Sequence, residues 1–238
     1  DQIVVLSPGF KRLLMQRGVP AAKVEVIYNW ADEAALVAPL GQLPVSFPGS
    51  ERFRIVFAGN MGKAQAMDAV LDAAAILQAR DSRVCFVLLG GGVEVNQLKQ
   101  RTAQLHLSNV IFLPPVPMSE VGTLLYAADA LLVHLRKDPL FEITIPSKTQ
   151  AYMAIGKPLL MAVDGDAANL VTQAGGGVVA ESENGFALAS TAEALQNLSL
   201  TARQVMGAKA QTYYREHLAL AVGVSQFGKI FNTLGRKK

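Results

Sequence analysis

The sequence predicts an α/β fold in which a parallel sheet is covered by helices on both faces. Short apolar runs alternate along the chain with segments whose apolar residues recur at helical spacing. Strands that are separated by helices indicate βαβ units. Runs that are apolar throughout are typical of strands buried on both faces of a parallel sheet. Because crossovers between such strands are right-handed, we expect a ligand beyond their carboxyl ends.

The individual elements follow from these patterns in chain order. The strands are the short apolar runs, predicted at Ile3–Leu6, Val24–Tyr28, Arg54–Ala58, Val84–Leu89, Val110–Leu113, Ala130–His134, Pro158–Val163 and Gly177–Ala180. The helices between them have apolar residues three and four positions apart, and are predicted at Pro8–Gln16, Ala64–Arg80, Val93–Leu105, Met118–Ala127, Pro146–Ile155 and Ala167–Gly175. The chain closes with helices predicted at Glu183–Leu198, Leu200–Glu216 and Ala219–Leu234.

Composition indicates a globular protein and argues against a nucleic-acid platform. The 238 residues are 51% hydrophobic and 17% charged, and no long polar tract occurs. Such a chain can bury a substantial core and is unlike a disordered one. The net charge of +3 is only mildly basic, and aromatic residues make up 7% of the chain. Because the basic residues are scattered, the interleaved basic and aromatic surface of nucleic-acid binders is absent from the sequence pattern.

The sequence also predicts a cytoplasmic location. Its single cysteine, Cys85, lies inside an apolar run, so there is no disulfide framework. No apolar run reaches the roughly 18 residues that a membrane-spanning helix needs. The basic residues Arg236–Lys238 leave open a peripheral contact with the inner face of the membrane, or simply a solvated tail. Since the chain starts within a predicted strand, without methionine, we expect it to be a fragment that lacks an upstream domain.

The segment FEITIPSKTQAYMAIGKP predicts an anion site at a helix start. A loop carrying Glu142 leads into a helix with Pro146 predicted at the first helical position, where its preset φ fits and an N–H is not needed. The next N–H groups, of Ser147, Lys148 and Thr149, would then lack intrahelical partners and point outward at the positive end of the helix dipole. An ordinary capped helix with a solvated lysine explains the same pattern.

A second phosphate-type corner is predicted in the segment RIVFAGNMGKAQAMD. Glycine in a turn between a strand and a helix lets a ligand approach the backbone closely. The polar and glycine residues of this turn are Gly59, Asn60, Gly62 and Lys63. Their spacing fits neither a Walker A loop nor GxGxxG, so the motif is of low specificity. A purely structural turn, which is common in α/β folds, is the alternative.

Five segments together resemble one enzyme family. LSPGF…KVEVIYNWAD, FAGNMGKAQAMD, LLGGGVEVNQLK, VIFLPPVPMSEV and IPSKTQAYMAIGKPLL are similar, in order and spacing, to the C-terminal half of a GT-B glycosyltransferase of the retaining family 4. Within that family the sequence most resembles bacterial enzymes that build colanic acid or O-antigen units. The resemblance implies a doubly wound, Rossmann-like domain at residues 44–205. It further implies that residues 1–43 end the N-terminal domain and connect the two, and that residues 206–238 form C-terminal helices.

The resemblance also implies roles for particular residues. Contacts with the donor diphosphate are implied for Gly59, Asn60, Gly62, Lys63, Ser147 and Lys148, with the adjoining Thr149 N–H. The backbone near Val116 matches the strand end that takes the nucleobase edge, although a proline-rich loop leaving a strand gives the same pattern. Gly90, Gly92 and Glu94 match a glycine turn that does no more than fix the backbone. The catalytic residues expected are Glu142, Lys148 and Lys63.

One departure from the family pattern concerns a pair of glutamates. Many members carry two glutamates eight positions apart, the first near the donor sugar and the second on the ribose. Counting from Glu142 reaches Gln150, whereas the alternative register pairs Ile143 with Ala151. Neither register keeps both carboxylates. Gln150 can still hydrogen-bond ribose hydroxyls, and Glu142 is equally a residue that favours the helix dipole.

The implied chemistry needs no cofactor and no metal. As the bond to the anomeric carbon breaks, negative charge grows on the leaving diphosphate, which N–H groups and lysines stabilise. The three histidines are far apart in sequence, although His134 ends a strand and, with Arg136 and Lys137, is a candidate to lie near the donor. Asp164-Gly165-Asp166 has the spacing of a metal-binding Asp-x-Asp motif. We interpret it as a strand-to-helix turn in which Asp166 caps the helix.

The sequence therefore predicts a transferase of surface-polysaccharide synthesis, represented by its donor-binding half. Its donor is expected to be a UDP-sugar, its acceptor a glycan or lipid-linked molecule, and its partner the missing N-terminal domain, without which the fragment is inactive. Two alternatives stay open: a nucleotide-sugar 2-epimerase of the same fold, and a non-catalytic nucleotide-sugar-binding module. An NAD-dependent oxidoreductase is disfavoured because no GxGxxG with a downstream ribose-binding carboxylate occurs.

Overall fold

A computed structural model describes residues 1–36 and 41–235 of the chain. Within these ranges the strands form one sheet of six and one of two, with parallel pairing throughout. The strands are β1 (Ile3–Val5), β2 (Val24–Val26), β3 (Phe53–Ala58), β4 (Val84–Leu89), β5 (Val110–Leu113), β6 (Ala130–His134), β7 (Leu159–Ala162) and β8 (Gly177–Val179). The predicted α/β fold with a parallel sheet is confirmed.

Helices follow most of the strands. They are α1 (Pro8–Gln16), α2 (Asp68–Ala79), α3 (Val95–Gln104), α4 (Met118–Ala127), α5 (Pro139–Glu142), α6 (Ser147–Ile155), α7 (Asp166–Ala174), α8 (Gly185–Asn197), α9 (Leu200–His217) and α10 (Leu220–Gly235). Among the described helices, none is long and apolar enough to span a bilayer. The basic residues Arg236–Lys238 lie outside the described residues.

The strand order of the large sheet locates the ligand crevice. The order is β5-β4-β3-β6-β7-β8, so the chain builds outward from β3 in one direction and then returns to begin the other half at β6. This reversal is a topological switch point, where the connections leaving two neighbouring strands diverge and open a crevice at their carboxyl ends. The ends of β3 and β6 therefore flank the expected site.

The core consists of two apolar layers, one on each face of the large sheet. Alternation along β3 assigns Val56 to one layer and its neighbours Ile55 and Phe57 to the other, and all three are fully buried. The Val56 layer includes buried residues of α4, α6 and α7. The opposite layer includes buried residues of α2 and α8. Burial of strands on both faces explains their near-continuous apolar sequences.

Two helix starts differ from the prediction. Pro146 was expected at the first helical position, but it is the residue before the helix, with φ −61° and ψ 138°, and α6 begins at Ser147. The helix predicted from Ala64 begins instead at Asp68. Residues Lys63–Gln65 form a short 3₁₀ turn, and Ala66 then adopts a left-handed conformation with φ 44° that ends it.

The first 26 residues form a separate small sheet that is tied to the large one through α1. Ser7 caps α1 by accepting a hydrogen bond from the Phe10 N–H at 3.2 Å. Asp166, the first residue of α7, accepts from the Gly9 N–H at 2.5 Å and from the Arg12 guanidinium at 2.9 Å. Asp166 therefore anchors α1, which corrects the prediction that it caps its own helix; Gly165 occupies the cap position.

Candidate functional site

A cavity of about 620 Å³ opens at the carboxyl ends of the central strands. Its volume is within the range of small-molecule sites, which runs from about 300 to 1,000 Å³. One group of lining residues is polar or glycine, namely Gly59, Asn60, Gln65, Gly90, Gly91, Ser147 and Lys148. Close contacts join Lys148 to Gly59, Gly59 to Gly90 and Asn60 to Gln65. Apolar side chains dominate elsewhere, including Leu36, Val116, Met118, Val121 and Leu125. The cavity thus combines a cationic, polar region with an apolar one.

The start of α6 supplies the clearest anion-binding groups. The N–H groups of Ser147 and Lys148 make no hydrogen bond within the described residues. The third predicted donor is not free, because the Thr149 N–H bonds the Pro146 carbonyl at 2.8 Å. Both Ser147 and Lys148 line the cavity. Two outward N–H groups at the positive end of a helix dipole form an anion site.

Lys148 adds a cation held in an unusual environment. Its side chain is half-buried, with Nζ 3.5 Å from the centroid of the Phe57 ring, a cation–π contact. None of the ion pairs among the described residues includes Lys148. Burial lowers the pKa of Lys148 to about 7, because desolvation disfavours the ammonium form. An anion bound at this end of the cavity would provide the missing counter-charge.

The glycine turn after β3 makes most of its hydrogen bonds within the protein. The Gly59 N–H bonds the Leu89 carbonyl at 2.9 Å, and the Met61 N–H bonds the Gly91 carbonyl at 2.7 Å. The Gly62 N–H donates to Oε1 of Gln65 at 3.0 Å. The Asn60 and Lys63 N–H groups of this turn have no hydrogen-bond partner among the described residues.

Glycine is required here for close packing between two backbone loops. A Cβ on Gly90 would lie 2.1 Å from the Gly59 carbonyl oxygen, and one on Gly92 would lie 2.3 Å from that of Met61. Gly90 and Gly92 also have φ of 133° and 143°, which disfavour other residues. Gly59 also has a left-handed φ, of 134°, which favours glycine. A Cβ there would lie 3.4 Å from Nζ of Lys148, so Gly59 adjoins the ammonium group.

The structure brings together some of the predicted site residues and leaves others apart. Gly59, Asn60, Val116, Ser147 and Lys148 line one cavity. The remaining predicted residues, Gly62, Lys63, Glu142, Thr149 and Gln150, lie outside that lining.

Thr149 and Gln150 are buried beneath the helix start. Gln150 is 1% exposed, and one end of its carboxamide faces the carbonyls of Pro146 and Ser147. The amide orientation that places nitrogen on this side lets it donate to them, at 2.8 Å and 3.2 Å. In this position the Gln150 side chain hydrogen-bonds carbonyl groups of the loop and does not line the cavity. The geometry therefore does not support the predicted contact with ribose. Thr149 is fully buried, and its Oγ1 makes no hydrogen bond within the described residues.

Glu142 and Lys63 are exposed and lie outside the cavity lining. Glu142 ends the short helix α5. Its backbone carbonyl packs against the turn before α7, where a Cβ on Gly165 would lie 1.9 Å from the carbonyl oxygen. Lys63 begins the 3₁₀ turn, with its side chain toward solvent. Neither has an ion pair among the described residues. Their predicted catalytic roles stay predictions.

Two basic residues after β6 have partners of their own. The Lys137 N–H donates to Glu183 at 2.5 Å, and its ammonium donates to Glu181 at 2.6 Å. Arg136 is exposed, with its guanidinium 3.8 Å from Asp138. Lys137 therefore contributes to a surface ion pair, and the expectation that it lies near the donor stays a prediction.

Several cavity residues were missed by sequence reasoning. Trp30 and Asp32 line it from the segment after β2, and Asp32 is its only carboxylate among the described lining residues. Trp30 packs against α10, where a Cβ on Gly223 would lie 2.5 Å from the indole ring. Tyr152 joins α6 to β3, because its hydroxyl accepts from the Ala58 N–H at 2.8 Å. The segment IYNWAD contributed to the family resemblance, but no role was predicted for its tryptophan or aspartate.

Comparisons with known proteins agree with this architecture. Residues 44–213 match the family described as "Glycosyl transferases group 1". The chain is 26% identical over 170 residues to the probable glycosyltransferase WbjE of Pseudomonas aeruginosa, covering 69% of this chain and 41% of that protein. It is 27% identical over 164 residues to WcaI of Escherichia coli K12, named as a colanic acid biosynthesis glycosyl transferase, covering 66% and 39%. The chain thus spans about two fifths of the length of these curated relatives.

A solved structure with the same fold is that of HepE from Anabaena. It was determined in complex with UDP, and separately with UDP-glucose. The UDP complex superposes with a TM-score of 0.81 at 18% identity, over 98% of this chain and 64% of that one. At this identity the likeness concerns the fold. Together with the family match, it confirms the resemblance that five sequence segments indicated.

Proposed function

The chain belongs to the glycosyl transferases group 1 family, and on that basis we propose that it is the donor-binding part of a retaining enzyme of surface-polysaccharide synthesis. The proposed donor is a UDP-sugar, and the acceptor is a glycan or lipid-linked molecule. WcaI, a relative named for colanic acid biosynthesis, supports the pathway class. The crystallised complexes of HepE with UDP and UDP-glucose support the donor class.

The observation that carries this proposal is the division of the cavity into two chemical regions. A nucleoside diphosphate has an anionic part and a flat, largely apolar base. Ser147, Lys148 and the Asn60 N–H offer donors and charge for the diphosphate. The apolar residues near Val116 offer a surface for the base. Pockets of this kind bind ligands through apolar walls and a few converging polar groups.

The proposed chemistry is stabilisation of a leaving group. When the bond between the anomeric carbon and the diphosphate oxygen breaks, the electron pair goes to that oxygen and negative charge grows on the diphosphate. Fixed N–H groups and the Lys148 ammonium favour that charge most in the transition state. Glu142, on the exposed edge beyond the diphosphate end, is the residue we propose to face the donor sugar.

We further propose the domain arrangement implied by the family. The pair β1 and β2 is an isolated parallel sheet of two strands among the described residues. Parallel sheets of this size are not stable alone, since such strands are normally buried on both faces. Residues 1–43 are therefore proposed to complete the sheet of an N-terminal domain, which would carry the acceptor site. Residues 44–205 would be the donor domain, and residues 206–238 its C-terminal helices.

Calorimetry with UDP, GDP and NAD tests the donor proposal on this chain. We expect UDP to bind most tightly of the three. We also expect UDP-sugar to be bound without transfer, because the acceptor site is proposed to lie on the N-terminal domain. Lys148→Ala serves as the site control. Tighter binding of NAD than of either nucleoside diphosphate would overturn the proposal.

Metal independence is tested in a longer protein that includes the upstream part. Asp166 is committed to Gly9 and Arg12, so it is not available to pair with Asp164 around a cation. We expect turnover to persist in excess EDTA. Activity that is lost in EDTA and restored by magnesium or manganese, together with loss in Asp164→Ala, would contradict this.

A non-catalytic nucleotide-sugar-binding module is the second candidate. It is favoured by the placement of Glu142 outside the cavity lining and by the lack of a second family glutamate. Transfer by the longer protein would exclude this candidate, while binding without transfer would support it. Conversion of the sugar at its second carbon without any acceptor would instead identify a 2-epimerase.

A further inference from the structure

His134, the last residue of β6, is a buried histidine in a defined hydrogen-bonding state. Its side chain is 0% exposed. Nδ1 lies 2.7 Å from the backbone carbonyl oxygen of Gln65. A carbonyl oxygen only accepts, so Nδ1 carries the proton and Nε2 of the neutral ring is bare. Burial lowers the pKa of His134 to about 4, with Lys148 acting in the same direction and Glu183 opposing it. The imidazole is therefore neutral at ordinary pH.

The contact with Gln65 is the only polar contact that His134 makes among the described residues. Nε2 is buried without a hydrogen-bond partner there. Burying an unpaired polar nitrogen is unfavourable. A leucine of similar size would fill this space without that cost, so the bond to Gln65 is what a histidine adds at this position.

Gln65 connects this bond to the cavity. Its side chain lines the polar end. Oε1 of Gln65 accepts from the Gly62 N–H at 3.0 Å and from Nδ2 of Asn60 at 3.4 Å. The side chain thus determines how the glycine turn is closed. Neither the Asn60 backbone N–H nor the Gln65 amide nitrogen has a hydrogen-bond partner among the described residues.

The segment after β6 holds the same turn at a second point. The Arg136 N–H donates to the Ala64 carbonyl at 3.0 Å. Two consecutive carbonyls, of Ala64 and Gln65, are thereby held by the end of a strand far along the chain. The same segment continues to the start of α6, so it links the two polar corners of the cavity.

We propose that His134 is a positioning residue of the nucleotide-sugar site, whose Nδ1–H bond to Gln65 sets the Lys63–Gln65 turn and directs the carboxamides of Gln65 and Asn60 toward the donor diphosphate. This inference rests on the proposed function of the cavity. It adds Gln65 as a ligand-contacting residue and His134 as the group that acts through it.

The experiment measures UDP affinity by calorimetry in a small set of variants. His134→Ala is expected to weaken UDP binding about 3- to 10-fold, the range for one lost hydrogen bond. His134→Asn restores most of the affinity, because the Asn Nδ2 donor occupies nearly the position of the histidine Nδ1. Gln65→Ala weakens binding to a similar extent. The double variant His134→Ala, Gln65→Ala binds no more weakly than either single variant, since residues acting through one contact are not additive.

Asn109→Ala is the matched control. Asn109 is 2% exposed and donates to the Ala74 carbonyl at 2.9 Å. It precedes β5 at the amino end of the strand, whereas the cavity opens at the carboxyl ends of the strands. Removing the Asn109 side chain deletes a buried hydrogen bond whose length is comparable to that of the His134–Gln65 bond. Asn109→Ala is therefore expected to lower the melting temperature and to leave UDP affinity unchanged.

Nuclear magnetic resonance of the histidine nitrogens provides a readout that needs no variant. The Nδ1–H tautomer of His134 is expected at pH 7, and an Nε2–H tautomer or a charged ring would overturn the inference. So would a folded His134→Ala that binds UDP normally, or a failure of asparagine to restore affinity. If the unmodified chain does not bind UDP at all, the proposed function and this inference both fail. If the unmodified chain binds UDP and the His134 variants bind it equally well, the inference about His134 fails and the proposed function stands.

Discussion

The sequence predicts both polar corners of the cavity as phosphate sites, but the two corners differ in how they are built. At the α6 start, two N–H groups and an ammonium lack partners among the described residues. At the glycine turn after β3, three of the N–H groups are already bonded inside the protein. The first corner offers the free donors and the charge that an anion needs, whereas most of the backbone N–H groups of the second serve the junction between two loops. Glycine at a strand end can therefore indicate packing between loops as readily as contact with phosphate.

The largest change in stability is expected from Gly90→Ala, which tests whether the glycine corner is a close-packed junction between two loops. A Cβ there would lie 2.1 Å from the Gly59 carbonyl oxygen, at a φ of 133°. We expect a loss of roughly 3 kcal/mol or more in the free energy of unfolding, since strain and overlap combine. Gly91→Ala is the adjacent control, because its Cβ would meet only Pro115, at 3.4 Å. Denaturant unfolding compares the two; equal stability would refute the close-packed junction.

Lys148→Ala comes next, and it tests the anion corner. We expect UDP binding to weaken by about 1.5–3 kcal/mol, the range for a hydrogen bond to a charged group. Lys63→Ala is the control on the other corner, where the lysine is exposed and outside the cavity lining. Its effect should be much smaller. Titration calorimetry on both variants distinguishes the corners, and a folded Lys148→Ala with normal affinity would show that the helix start is misassigned.

The pH dependence of binding is a smaller effect with a definite sign. The pKa of Lys148 is lowered to about 7 by burial. Above that pH the empty site loses its charge, and a bound diphosphate favours the ammonium, so binding takes up a proton. UDP affinity should therefore fall as pH rises above 7, by up to about tenfold per unit.

Lys148→Arg should flatten this profile, because a guanidinium stays charged. Calorimetry at pH 8 in buffers with different ionisation heats measures the proton uptake directly. A wild-type affinity that is constant between pH 7 and 9 would mean that Lys148 does not meet the anion.

The smallest effect on UDP is expected from Glu142→Gln. Because Glu142 is exposed and outside the cavity lining, UDP affinity should change by no more than about 0.5 kcal/mol. A difference should appear only when the ligand carries its sugar. Measuring UDP and UDP-glucose in parallel gives the comparison, and an equal loss for both ligands would place Glu142 on the diphosphate instead.

The sheet could be predicted from the sequence because its signal is local. Buried parallel strands read as apolar runs, and β4, β5 and β6 have the predicted bounds. The start of α2 could not be predicted in the same way. Residues 64–67 are acceptable helix formers, yet the carbonyls of Ala64 and Gln65 are held by Arg136 and His134, about 70 positions away. Long-range hydrogen bonds overrode the local preference.

The candidate site likewise contains residues that a local sequence pattern predicts and residues that only the folded chain brings to the cavity. Ser147 and Lys148 were predicted because a proline followed by polar residues indicates a helix start, a local pattern. Trp30 and Asp32 line the cavity only because the segment after β2 returns across it. Gln150 was predicted by counting positions, and the count could not show that its side chain turns toward the Pro146 carbonyl.

The position of Trp30 allows ligand binding in the cavity to be followed by intrinsic fluorescence. The chain contains one tryptophan, so its indole fluorescence comes from a single place, the wall shared by the cavity and α10. Indole emission responds to the polarity of its surroundings, and a ligand that displaces water from this wall changes those surroundings. Occupancy can thus be followed in the unmodified chain, without a label. Because the ring also packs on Gly223, the same signal reports any shift of the C-terminal helix.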